Sequence, residues 1–264
     1  MKAHHARALE KARSRLLEED PDLLAIIVGG SIAKGVERDE SDVDVIVVLK
    51  DDQYLKRLSE NRVALIWHDV CDYPGGYVEG RYISRSFIKE AAERGSEPTR
   101  SSFTGSYPVY CVDSDIAQWL PLIVHYPDER QKENIASFLA QMQFNRWFFW
   151  TDGKSRGDRY VQLRAATEIV LFGCRLILAY NRILFARQKQ LIEQTLAAPL
   201  KPDGLEEKIN RFLTELTDEA KEDFCKAVED FGGWGKTEFT EHLSHFLQDV
   251  ELSWYNRVHA TSEW

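Results

Sequence analysis

Apolar positions along the chain follow two regimes that meet near residue 120. Before that point, short apolar runs alternate with segments of helical spacing. Leu9, Ala12 and Leu16 recur at the period of a helix, which predicts a charged amphipathic helix over 5–19, ended by Asp20-Pro21. The runs 24–28 and 43–49 are almost wholly apolar, as strands buried on both faces are. Further strands are predicted over 63–70, 77–84 and, as a short edge, 108–112. Helices are predicted over 53–61 and 87–94, with a short one opening at 32–36. Tyr73-Pro74-Gly75-Gly76 reads as a turn. Beyond residue 128 the pattern is helical almost to the end, over 134–150, 159–181, 187–196, 205–231 and 238–257. A break falls at Gly232-Gly233-Trp234-Gly235. The expectation is an α+β chain, a mixed sheet with flanking helices over 1–120 followed by a helical bundle over 121–264.

Composition adds limits to this picture. The chain has 264 residues, enough for one large domain or two modest ones, and a formal net charge of −9. An acidic balance argues against a broad nucleic-acid-binding surface, which needs Lys and Arg to neutralise phosphates. It suits a small substrate, a cationic one above all. The four cysteines (Cys71, Cys111, Cys174, Cys225) are far apart, with no metal or redox spacing. His242 and His245, three apart on a predicted helix, are expected to be a surface pair. Residues 1–20 carry charges throughout and lack an apolar core, so no signal peptide is expected. The longest apolar stretch, 169–180, contains Arg175 and is too short to span a bilayer. A cytoplasmic protein without membrane contact is expected. The oligomeric state stays open.

The candidate chemistry lies in Val28-Gly29-Gly30-Ser31 and in Asp42-Val43-Asp44. An apolar strand runs into a glycine turn, and a second strand carries two carboxylates. Side chains alternate across a strand, so Asp42 and Asp44 face one way and Val43 and Val45 the other. Adjacent carboxylates repel unless solvated or bridged by a cation. The Walker loop requires Gly-Lys-Ser or Gly-Lys-Thr, whereas Lys34 precedes Gly35. The dinucleotide fingerprint requires glycines at other spacings than Gly30 and Gly35.

The pattern of strand, Gly-Ser turn, gap and Asp-x-Asp strand resembles the polymerase-beta-like nucleotidyltransferase superfamily. The resemblance is strong over 22–50 and looser to about 115. It implies that Gly30 and Ser31 hold a triphosphate and that Asp42 and Asp44 coordinate one or two Mg²⁺ ions. A third carboxylate is usual in the superfamily. Glu79, inside a predicted strand, is favoured over Asp69 and Asp72, with an ion pair to Arg81 as its structural alternative. Small-molecule members also carry a helical second half. That half is expected to offer a cation to the triphosphate, for which Lys189 is preferred over Lys154 and Arg159. It is also expected to offer an acidic residue to the acceptor. Glu168 is the candidate base, with a pair to Arg164 or Arg175 as the structural alternative. The aromatic run from Phe144 to Trp150 is expected to be bundle core, with a stacking surface as the alternative.

The implied activity is Mg²⁺-dependent transfer of a nucleoside monophosphate, AMP by preference, from a nucleoside triphosphate such as ATP. The implied acceptor is a hydroxyl of a small molecule. The two-part layout resembles antibiotic adenylyltransferases, which points to an aminoglycoside-like cationic acceptor. The alternatives are nucleotidylation of a protein hydroxyl and nucleotide binding without turnover.

Overall fold

Helix α1 (Ala3–Glu19) forms on the stripe read from the sequence: Ala8, Leu9, Ala12 and Leu16 are buried, and His5 joins them. The computed structural model describes residues 1–234 and 238–257. The chain divides into two units, Met1–His125 and Tyr126–Trp264.

The first unit continues with β1 (Ala25–Val28), α2 (Gly30–Ala33), β2 (Val43–Leu49), α3 (Asp51–Ser59), β3 (Ala64–Trp67) and β4 (Val78–Ser84). Then come α4 (Arg85–Arg94), α5 (Glu97–Ser102), β5 (Tyr107–Cys111) and α6 (Ser114–Ile123). The strands form one mixed sheet in the order β3-β4-β2-β1-β5. β1 pairs antiparallel with β2 and β5, β3 antiparallel with β4, and β2 parallel with β4. The near-continuous apolar sequence of β2 reflects a strand covered on both sides. Val43, Val45, Val47 and Leu49 pack with the α1 stripe, while Ile46 and Val48 pack with Ile88 of α4 and Ile116, Leu120 and Ile123 of α6.

Two helices of this unit went unanticipated, α5 and α6, and both begin at a capping side chain. Ser96 accepts a hydrogen bond from the Thr99 amide at 3.4 Å, and Asp113 accepts one from Asp115 at 2.9 Å. Pro121 sits in the last turn of α6, so the expected division after residue 120 would cut that helix. The expected short helix at 32–36 begins earlier, at Gly30. β3 is shorter than the run 63–70, because its pairing with β4 ends at Trp67.

The second unit contains α7 (Gln131–Phe144), α8 (Trp150–Arg156), α9 (Arg159–Tyr180), α10 (Leu191–Ala197), α11 (Leu205–Glu215), α12 (Asp218–Gly232), α13 (Phe239–Phe246) and α14 (Ser253–Asn256). Helix α9 is buried around most of its girth from Ile169 to Ala179 and forms the centre of this core. The expected helix over 205–231 is two helices. Leu216 turns left-handed (φ 53°), and Thr217 caps α12 by accepting from the Ala220 amide at 3.2 Å. The expected helices over 134–150 and 238–257 are each interrupted by a π-helical turn, at Asn145–Phe149 and Leu247–Glu251. Gly235, in the predicted break, lies outside the described residues.

The aromatic run is only partly core. Phe144 and Trp150 are buried, whereas Trp147 and Phe148 are exposed. His242 is buried against the Trp147 ring and is no surface histidine. Among the described residues no helix is long and apolar enough to cross a membrane.

Candidate active site

Gly30 leaves β1 with a left-handed backbone, φ +63°. A β-carbon on it would lie 1.6 Å from Asp44 Oδ2, so any larger residue would collide with that carboxylate. The Gly29 amide donates to the Asp44 carbonyl at 3.0 Å, carrying the β1–β2 ladder into the turn. The glycine turn and Asp44 are therefore in direct contact. Ser31, in the first turn of α2, has a buried hydroxyl without a hydrogen-bond partner. So has Ser106, whose hydroxyl would stand 3.9 Å from a β-carbon on Gly29. Two hydroxyls thus flank the turn with their hydrogen-bonding capacity unspent.

Asp44 lies in β2, directly opposite Glu79 in the parallel strand β4. Cross-strand neighbours share a face, so the two carboxylates stand side by side. Asp42 precedes β2 by one residue and stays partly exposed, as does Asp44, while Glu79 is exposed. The phenol of Tyr77 stands beside the group. Its pKa is raised above that of a free tyrosine, by the nearby Asp42 carboxylate first and by Glu79 and Asp44 further off. The bend entering Asp42 is held by Tyr73, whose hydroxyl donates to the Ser41 carbonyl at 2.8 Å.

Arg81 follows Glu79 on the same face of β4. It keeps exposed surface, but the crowding of its guanidinium lowers its pKa, an effect the nearby Asp44 carboxylate partly opposes. Arg81 donates to Ser102 Oγ at 2.9 Å and lies 5.7 Å from the Phe103 ring centroid. Among the described residues no ion pair joins it to Glu79, so the structural alternative for Glu79 does not form. Asp69 and Asp72, the other candidates for the third carboxylate, are engaged by α1. Arg15 reaches Asp69 at 3.2 Å and Arg7 reaches Asp72 at 2.8 Å.

The oxygen donors at this turn suit a hard divalent cation such as Mg²⁺. Among the described residues no three His, Cys, Asp or Glu side chains gather tightly enough to enclose a metal ion. That is compatible with Mg²⁺ chemistry, because Mg²⁺ is commonly held by one or two carboxylates, waters and the phosphates of a substrate rather than by a protein cage.

The remaining predicted residues belong to the second unit. Glu168 lies on α9 and pairs with Arg164, one helical turn earlier, at 3.4 Å. Arg175 is fully buried, with its guanidinium over the Phe138 and Phe185 rings at 4.2 and 4.3 Å. Lys189 is exposed in a short 3-10 turn, Gln188–Gln190. Lys154 pairs with Asp218, and Arg159 donates to Gln162 at 3.2 Å.

Sequence reasoning assigned no site role to Tyr77, Arg81 or Ser106. The period of two along β4, which sets 77, 79 and 81 on one face, was a usable signal for the first two. Ser106 reaches the turn only through the fold, and nothing local announces it.

Residues 9–90 match the family model described as a nucleotidyltransferase domain. The match spans the turn, Asp42, Asp44 and Glu79. The match lies within the first unit and supports a transferase. Among solved structures, a nucleotidyltransferase-like protein from Exiguobacterium sibiricum 255-15 aligns at a TM-score of 0.46 and 14% identity. The alignment covers 93% of this chain and 76% of that one. No curated protein matches the chain.

Proposed function

We propose that the first unit transfers a nucleoside monophosphate from a nucleoside triphosphate, ATP by preference, to a hydroxyl of a small cationic molecule of aminoglycoside-like chemistry. The observation that carries this reading is the junction of the glycine turn with Asp44 and, across the β2–β4 register, with Glu79. In the reaction the acceptor oxygen attacks the α-phosphorus, the bond from that phosphorus to the bridging oxygen breaks, and pyrophosphate leaves while the hydroxyl gives its proton to solvent. Gly30 lets the backbone approach the phosphates, and Ser31 and Ser106 supply hydroxyls to phosphate oxygens. Asp42 and Asp44, with Glu79 beside them, would hold Mg²⁺, which offsets charge on the phosphates and on the departing pyrophosphate. Tyr77 stands beside the Asp42 carboxylate, and Arg81 lends positive charge beside Asp44. The exposed Glu79 edge and the net charge of −9 favour a cationic acceptor.

The test is pyrophosphate release from each radiolabelled nucleoside triphosphate with Mg²⁺, with and without a panel of hydroxyl-bearing acceptors. Release is expected with ATP and an aminocyclitol-type acceptor, and Asp42→Asn and Asp44→Asn are each expected to slow it about a hundredfold or more. Release that survives both substitutions would remove the site assignment. Label that appears on protein instead of the small acceptor would move the reading to protein nucleotidylation. Nucleotide binding without release under any condition would leave a binding module.

A further inference from the structure

Among the described residues of the second unit, helical regularity is lost at two π turns, and both open onto one cavity. The π-helical turns Asn145–Phe149 and Leu247–Glu251 each contribute lining residues to a space of about 380 Å³ between α7, α9 and α13. A π turn displaces the side chains that would otherwise close a helix packing, and such turns recur at functional sites. An open cavity of a few hundred cubic ångströms is the scale of small-ligand sites.

The wall has a defined chemistry. Phe149, Val161, Phe172, Phe246 and Val250 make it mainly apolar. Arg164 and Glu168 also line it, but their mutual pair at 3.4 Å leaves no net charge facing the space. The polar contribution is Gln141, which is 1% exposed and whose Nε2 has no hydrogen-bond partner. Asn145 differs: its Nδ2 already donates to the Gln141 carbonyl at 2.9 Å. The buried Gln141 amide, a donor left without a partner on the cavity wall, is the demand that one ligand hydroxyl can meet by accepting from it.

We propose that this cavity in the helical unit binds an uncharged small molecule with an apolar ring body and one hydroxyl, the ring against the phenylalanines and the hydroxyl at Gln141. The proposal does not rest on the proposed transfer reaction, and its test does not depend on that activity. The full chain is titrated with 2-naphthol in a calorimeter, without nucleotide or metal. Saturable binding at one site per chain is expected, with a dissociation constant of about 10–100 μM for so small a ligand. Val250→Trp, which fills the cavity from its exposed rim, and Val161→Trp, which fills it from α9, should each weaken binding at least tenfold with unchanged circular dichroism. Gln141→Leu should weaken it about fivefold. Trp254→Ser, which removes an exposed aromatic side chain outside the lining, should change nothing. The proposal is overturned if the folded protein shows no saturable binding. It is equally overturned if both tryptophan variants fold and bind like the parent, or if Trp254→Ser removes the binding instead.

Discussion

At the scale of single residues, the site is recognised by what its side chains leave undone. A buried hydroxyl without a partner costs free energy, on the order of 1–3 kcal/mol, and a stable protein keeps few of them without cause. Ser31 and Ser106 carry that cost on either side of the glycine turn. If they serve the fold, their removal should destabilise it. If they await phosphate oxygens, removal should spare the fold and weaken the nucleotide. Ser31→Ala and Ser106→Ala are accordingly expected to keep or slightly raise the melting temperature. Each should weaken nucleoside triphosphate binding about three- to tenfold, as loss of one hydrogen bond worth roughly 0.5–1.5 kcal/mol does. Melting curves and nucleotide titrations on the same preparations separate the two roles. A fall in stability with intact nucleotide affinity would return both serines to structure. Gly30 belongs to the same scale: its positive φ and its closeness to the Asp44 carboxylate leave no room for a β-carbon.

At the scale of elements, strand register does what composition could not. Glu79, Asp69 and Asp72 are three acidic residues within about ten positions, and their identities do not tell them apart. The parallel pairing of β2 with β4 sets Glu79 opposite Asp44, while α1 draws Asp69 and Asp72 away through Arg15 and Arg7. Glu79→Gln is therefore expected to lower kcat about a hundredfold with the melting temperature unchanged. Asp72→Asn breaks only an exposed ion pair, which contributes little, and should leave kcat within about twofold. Steady-state kinetics on the two variants decide, and equal losses in both would end the distinction. The same contrast explains what was legible beforehand. Strands β1 and β2 announced themselves because both faces are apolar, and α1 because its stripe keeps a helical period. Helices α5 and α6 hid because they are short and start from Ser96 and Asp113 in polar stretches. The division between α11 and α12 hid because Leu216, a residue without turn preference, takes the left-handed conformation that glycine usually supplies. The π turns have no sequence period to read, since each adds one residue to an otherwise helical pattern.

At the scale of the whole molecule, the two units have separate hydrophobic cores, and acid should act on them through different groups. In the helical unit Arg146 is nearly buried and bonds both Glu222 and Glu229 of α12, the latter at 2.8 Å, so it ties the π turn after α7 to α12. Burial acts to lower the Arg146 pKa, but the carboxylates around it outweigh that and raise it. Burial likewise acts to raise the Glu222 pKa. The hydrogen bond and charge of Arg146 prevail and hold it below 4.5, the ordinary glutamate value. A carboxylate whose folded pKa is depressed gives its full stabilisation above the unfolded value and loses it as the pH falls through the folded one. The contribution of this pair should therefore be constant from pH 7 to about 5 and disappear progressively below about 4.5. Arg146→Met is expected to be less stable than the parent at pH 7, with the gap shrinking as the pH falls toward 3. Urea unfolding followed by tryptophan fluorescence at pH 7, 5, 4 and 3 measures it, because Trp147 and Trp150 follow Arg146 on the same segment. A gap that stays constant across that range would mean that Arg146 stabilises the unit through the packing of its stem and not through its charge.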